Sequence, residues 1–185
     1  MRSIIILFFL LSISLYAQRN PVGIKVGSNL SKLVGNNTDN LTFSVRPQFG
    51  LFMQIPIDDF GAFQPELLYT GHGYKQEDFG GEPNVGLNYL ALAVLTKILI
   101  IKKFSLDVGP QFGLLLSAND KEDILPNIKS DFYNRDFGVN LGFSYDLLKK
   151  ITASFRYYIG LTDITRLNSK NFNRSFQIAF QYKIN

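Results

Sequence analysis

The sequence predicts an all-β protein, an eight-stranded antiparallel up-and-down transmembrane β-barrel. Three observations carry that expectation. The first is strict alternation in the stretch Asp136 to Leu161. Phe137, Val139, Leu141, Phe143 and Tyr145 alternate with polar or small residues, and so do Ile151, Ala153, Phe155, Tyr157 and Ile159 after a short turn. Successive side chains of a strand point to opposite faces, so each strand has one greasy aromatic face and one polar face. A large aromatic face suits lipid, and a face of charges and glycine suits a narrow interior. The second observation is rhythm: connections alternate long and short along an even number of strands, as in outer-membrane barrels. The third is the N-terminus. Residues 1–18, MRSIIILFFLLSISLYAQ, have a charged start at Arg2, an apolar run from Ile4 to Leu11 and small Ala17 before the cut, the pattern of an export signal. That leaves residues 19–185 as one barrel domain.

In chain order, Pro21 to Asn29 alternates Val22, Ile24 and Val26 with Gly23, Lys25 and Gly27, and reads as strand one. Ser31 to Asn40 holds Gly35-Asn36-Asn37 and reads as a loop. Thr42 to Ile57 is strand two, with kinks or bulges expected at Pro47 and Pro56 because proline cannot donate to a ladder. A turn at Asp58 to Gly61 leads into strand three, Ala62 to Gly73. Tyr74 to Gly86 is a polar loop. Strand four, Leu87 to Ile98, is apolar almost throughout, with Lys97 on the face of Ala91 and Ala93. Strand five is Phe104 to Ser117, and Ala118 to Tyr133 is a loop rich in Asp, Lys and Asn. The opening stretch supplies strands six and seven. Asp163 to Asn173 is a loop, and Arg174 to Ile184 is strand eight, with Phe176, Ile178, Phe180 and Tyr182 on its greasy face.

The polar faces collect Lys25, Arg46, Glu66, Lys97, Asp107, Asp136, Arg156 and Lys183. An eight-stranded barrel is only wide enough to be filled by side chains. Buried charges must be paired. The expectation is therefore a structural ion-pair and hydrogen-bond network inside the barrel, with the lipid bilayer outside it and no general diffusion pore through it.

Composition excludes several chemistries. There is no Cys, so disulfides, thiolate metal sites and cysteine nucleophiles are absent. The formal net charge is +4 with no Lys/Arg block, so a nucleic-acid arm is not expected. No glycine-rich phosphate loop opens a helix, and Asn119 to Asp123 lacks the regular spacing of a calcium loop. The one histidine, His72, is read as a lone residue exposed at the outer end of strand three, and inert. No catalytic, cofactor or metal site is expected. The functional expectation is a non-enzymatic envelope anchor or scaffold, with partners reached through the loops Ser31–Asn40, Tyr74–Gly86 and Ala118–Tyr133. A narrow channel or transport component is the alternative, and an enzyme at the outer rim, using His72 on lipid or glycan, is a third.

Seven segments carry a resemblance to a known family. They are GIKVGSNLSKL from Gly23, FQPELLYTGHGYK from Phe63, LNYLALAVLTK from Leu87, DVGPQFGLLLSA from Asp107, DFGVNLGFSYDL from Asp136, RYYIGLTDI from Arg156 and SFQIAFQYKI from Ser175. In this order, and over nearly the whole chain after residue 18, they resemble the small outer-membrane β-barrel family of Bacteroidetes, the PorT-like proteins. The resemblance implies an outer-membrane location and an eight-stranded barrel. The PorT proteins themselves are linked to type IX secretion. The chain departs from the family at Ala91 and Ala93, where Glu and Pro are common, and at its non-aromatic end, Ile184-Asn185.

Overall fold

The computed structural model describes residues 20–36, 38–76, 83–120, 128–166 and 170–185. The export segment at 1–18 lies outside the described residues, as do parts of the four long connections. The described strands are β1 (Val22–Gly35), β2 (Leu41–Met53), β3 (Ile55–Asp58), β4 (Gly61–Gln76), β5 (Asn84–Ile101), β6 (Phe104–Asp120), β7 (Arg135–Leu148), β8 (Ile151–Gly160) and β9 (Asn171–Lys183). All pairings are antiparallel between neighbours. β2 and β3 form one stave, because both pair with β4. β1 pairs with both β2 and β9, which closes the ring into an eight-stave barrel.

Closure removes every sheet edge, the condition for strands in hydrocarbon. The outward residues form an apolar belt. Val26, Val45, Phe49, Leu51, Leu67, Leu92, Phe112, Leu141, Phe143, Ile178 and Phe180 are all exposed. Part of the belt is an aromatic ladder, in which Phe104, Phe143, Phe155 and Phe176 follow one another at ring separations of 5.6, 5.5 and 6.1 Å. Stacked and tilted rings at such spacing attract beyond simple burial.

Both termini and the short turns lie at one end of the barrel. Ile184 N–H donates to Val22 O at 2.8 Å there, and Lys102-Lys103 and Lys149-Lys150 turn the chain. The long connections lie at the other end, which is the outer one by the usual rule of short periplasmic turns.

Several strands run further outward than sequence periodicity suggests. β1 continues through Ser31 to Gly35, β4 reaches Gln76, β5 starts at Asn84 and β6 reaches Asp120. Each of the three segments expected to be partner-binding loops therefore begins in strand, and Tyr74–Gly86 also ends in strand. The cause is that polar residues on an inward face can stay in the ladder if the interior is polar. Ser31 is buried and donates to Gly73 O at 3.0 Å. Roughly 9–11 residues cross a bilayer as a strand, so the 16-, 18- and 17-residue β4, β5 and β6 extend beyond it. Register shifts fall between Phe43 and Gln48, across Pro47, and between Pro56 and Asp58. The break at Gln54 has a different cause: its N–H donates to Pro21 O at 2.8 Å.

Candidate functional site: the barrel interior

Three layers fill the interior. The one nearest the periplasm is ionic. Inward parity places Lys25 on β1, Glu66 on β4, Lys97 on β5, Asp107 on β6 and Arg156 on β8, and register brings all five together. Arg156 sits at the centre. Its Nη1 donates to both Glu66 oxygens at 2.9 Å, and its Nε donates to Asp107 Oδ2 at 3.0 Å. Lys25 Nζ meets Glu66 Oε2 at 2.9 Å, and Lys97 Nζ meets Asp107 Oδ1 at 3.0 Å. Ser144 bridges Lys97 and Asp107. Three cations thus share two carboxylates, and all five side chains are buried. Charges so desolvated persist only with this density of partners.

A layer of neutral amides and hydroxyls surrounds and extends the cluster. Gln64 donates to Glu66 and, at 3.2 Å, to Gln181, and accepts from Gln54 at 2.8 Å. Asn29 donates to Thr70 at 2.8 Å, and Asn140 to Gln111 at 3.0 Å.

The remaining three candidates sit apart from the ionic cluster. Arg46 lies nearer the outer end, where Nη2 donates to Asn84 O at 2.9 Å. Asp136 accepts from Asn173 Nδ2 at 2.8 Å and Thr162 Oγ1 at 3.3 Å. Lys183 is half-buried at the periplasmic mouth, in a polar recess of about 170 Å³ with Gln54, Lys97 and Asp146.

His72 contradicts the expectation of an exposed loop residue. It is 1% exposed and points into the barrel, because β4 continues past it to Gln76. Its ring packs against Tyr158 and Tyr89 at centroid separations of 5.1 and 5.7 Å. Neither imidazole nitrogen has a hydrogen-bond partner within the described protein. A rim catalyst needs a solvent-facing base, and this histidine is enclosed.

The outer layer is apolar, in contrast to the wholly polar interior that the sequence predicts. Leu33, Val85, Leu87, Tyr89, Leu115, Ala118, Ile128, Phe132 and Ile164 form one buried cluster. A short 3-10 turn, Ile128–Asp131, brings Ile128 inward, and Phe132 bridges to Thr165. The signal was present in strand four: a strand apolar on both faces has lipid on one side and an apolar filling on the other. The described interior is thus filled by an ionic layer, a layer of amides and hydroxyls, and an apolar layer. Among the described residues, no group of three or more His, Cys, Asp or Glu is placed to hold a metal ion.

A family model described as "Outer membrane protein beta-barrel domain" matches residues 16–166. The chain belongs to this outer-membrane β-barrel family. With the lipid-facing belt, the family fixes its location in the outer membrane, embedded in the bilayer. Among solved structures, the barrel resembles Neisserial surface protein A, with TM-score 0.62, 13% identity, and coverage of 88% of this chain and 97% of that one. It also resembles Ail, the attachment invasion locus protein of Yersinia pestis, with TM-score 0.50, 9% identity, and coverage of 89% and 99%. At these identities the likeness is one of fold. No curated protein matches the sequence.

Proposed function

We propose that this outer-membrane barrel is a non-conducting, non-enzymatic anchor or scaffold, exported by residues 1–18 and presenting its outer connections to partners. The observation that carries the reading is the double filling of the interior. The Arg156 cluster occupies the inner part and the Leu87–Phe132–Ile164 cluster closes the outer part. In this reading the eight inward charges are structural: five satisfy one another around Arg156, while Arg46 and Asp136 tie staves together through hydrogen bonds to Asn84 and Asn173. The PorT-like assignment, and with it a place in a secretion assembly, rests on the seven segments quoted above. Reconstitution in planar bilayers tests the reading. The expected trace is flat at the single-channel level. Regular openings that shift when Glu66 or Arg156 is neutralised would instead assign it to transport.

A further inference from the structure

Lys32 on β1 and Arg174 on β9 are direct cross-strand partners. Both side chains face outward, since their neighbours Leu33 and Asn173 are buried inside. Like charges directly opposite each other on a sheet are destabilising, so the pair calls for a compensating anion. Among the described residues no carboxylate lies within ion-pair distance of either cation, and the Asp136 carboxylate acts on Arg174 only from inside the barrel. The strand carboxylates of the outer half, Asp120 and Asp136, are 6% and 2% exposed and turned inward.

The two cations are also held in place. Lys32 Nζ lies 5.1 Å from the Phe43 ring centre, and the Arg174 guanidinium lies 6.0 Å from that of Phe172. Arg174 Nη1 donates to the strand carbonyls of Gly160 and Asn173. Below them, Phe43 and Phe176 sit 6.4 Å apart on the lipid-facing wall, spanning β1. The pair thus stands toward the outer end of the apolar belt, with Val34 and Phe172 as the next outward-facing pair beyond it, where lipid headgroups are expected.

We propose that Lys32 and Arg174 form a binding site for a phosphate-bearing headgroup of an outer-leaflet lipid. Its acyl chains would lie on the Phe43–Phe176 wall. A phosphate between the two cations neutralises the repulsion and accepts charge-assisted hydrogen bonds from both. A lipid fits better than a free anion, because aromatic wall and cations are contiguous.

The test uses the folded barrel in zwitterionic detergent, with diphosphoryl lipid A as probe and native mass spectrometry as readout. Fully dephosphorylated lipid A and inorganic phosphate are the comparison arms. The wild type is expected to hold the phosphorylated lipid, and K32Q/R174Q to bind it roughly tenfold or more weakly. K32R/R174K is expected to keep the binding, as is K75Q/R135Q, which removes two other cations near the outer ends of strands. Should K32Q/R174Q not fold, judged by loss of heat-modified gel mobility, K32Q alone is measured and is expected to weaken binding severalfold. Equal binding of the dephosphorylated lipid, unchanged binding by the Lys32 and Arg174 variants, or binding of inorganic phosphate as tight as that of lipid A would each overturn the proposal.

Discussion

Gly142 lies directly across the β7–β8 ladder from Arg156, and a Cβ at Gly142 would fall 2.5 Å from the Arg156 Cα. The arginine side chain runs over this glycine, since its Cγ would be only 2.8 Å from the same Cβ. Gly142→Ala must therefore move backbone as well as side chain. Overpacking of this kind costs about 1–3 kcal/mol. We expect a lower temperature for the heat-induced gel shift. An unchanged temperature would show that the interior can relax around an added methyl group.

The ionic cluster predicts an order among three substitutions. With three cations and two carboxylates the group carries one excess positive charge. Lys25→Met removes that excess and leaves Glu66 paired with Arg156, so a small effect is expected. Glu66→Leu leaves Lys25 and Arg156 facing each other without their shared partner. Breaking a buried pair in that way costs about 3–5 kcal/mol. Urea unfolding in detergent should rank the wild type and Lys25→Met together, well above Glu66→Leu. The reverse ranking would mean that the cluster is stabilised by something other than ion pairing.

His72 predicts a gain. It is buried between two tyrosines, with no hydrogen-bond partner for either ring nitrogen among the described residues. Replacing an unsatisfied buried polar group by an apolar one of similar shape removes its desolvation penalty, about 1–3 kcal/mol. His72→Phe is expected to raise thermal stability and to leave any cellular phenotype intact. A loss of stability would indicate that the imidazole has a hydrogen-bonding role.

The outer cluster predicts a local effect. Ile164 is fully buried, and truncating a buried Ile to Ala costs about 2–5 kcal/mol. Because Ile164 packs in the outer cap, Ile164→Ala should loosen that end before the barrel melts. Limited proteolysis on intact cells should then cleave the outer connections faster, while the heat-shift temperature changes little.

A fifth prediction concerns pH. Asp163 lies in the connection after β8, outside the membrane span. Partial burial works to raise its carboxyl, but hydrogen bonds from the N–H groups of Asn171 and Thr165 and from the Thr165 hydroxyl outweigh this and hold it below the usual carboxylate range. A depressed folded value gives stability that is present above the unfolded pKa, near 3.9. That stability is lost as pH falls through the lower folded value. Amide exchange at Thr165 and Asn171 should accelerate over that acid window, and Asp163→Ala should exchange fast at all pH values.

Much of this architecture is local and therefore legible without coordinates. Alternation from Phe137 to Tyr145 and from Ile151 to Ile159 identifies lipid-facing residues, and the same parity puts Glu66 and Arg156 on the polar face. What parity cannot supply is register. That Arg156 meets Glu66, 90 positions away, and that Arg46 lies outside the cluster, depends on the stagger of the closed ring. Strand ends are less legible. The polar run after Asn29 and the stretch from Tyr74 look like loop chemistry, which puts His72 at a strand end, yet in a barrel with a polar interior β1 continues to Gly35 and β4 to Gln76. The misplacement of His72 follows directly from that. The apolar cap depends on contacts among β1, β5, β6, the turn at Ile128 and the connection at Ile164, and no single window contains it.

Closure between β1 and β9 has a consequence in time. The ladder from Gly23–Lys183 to Gly35–Asn171 joins the two ends of the domain. No part of the ring is complete until the last dozen residues have emerged and crossed the periplasm. Until then the chain carries two open edges and a greasy face, the features that invite aggregation. Contacts so distant in sequence also form slowly. Its biogenesis is therefore expected to need the chain kept from pairing wrongly until its final strand arrives, and a chain cut short before Asn171 should be degraded rather than inserted.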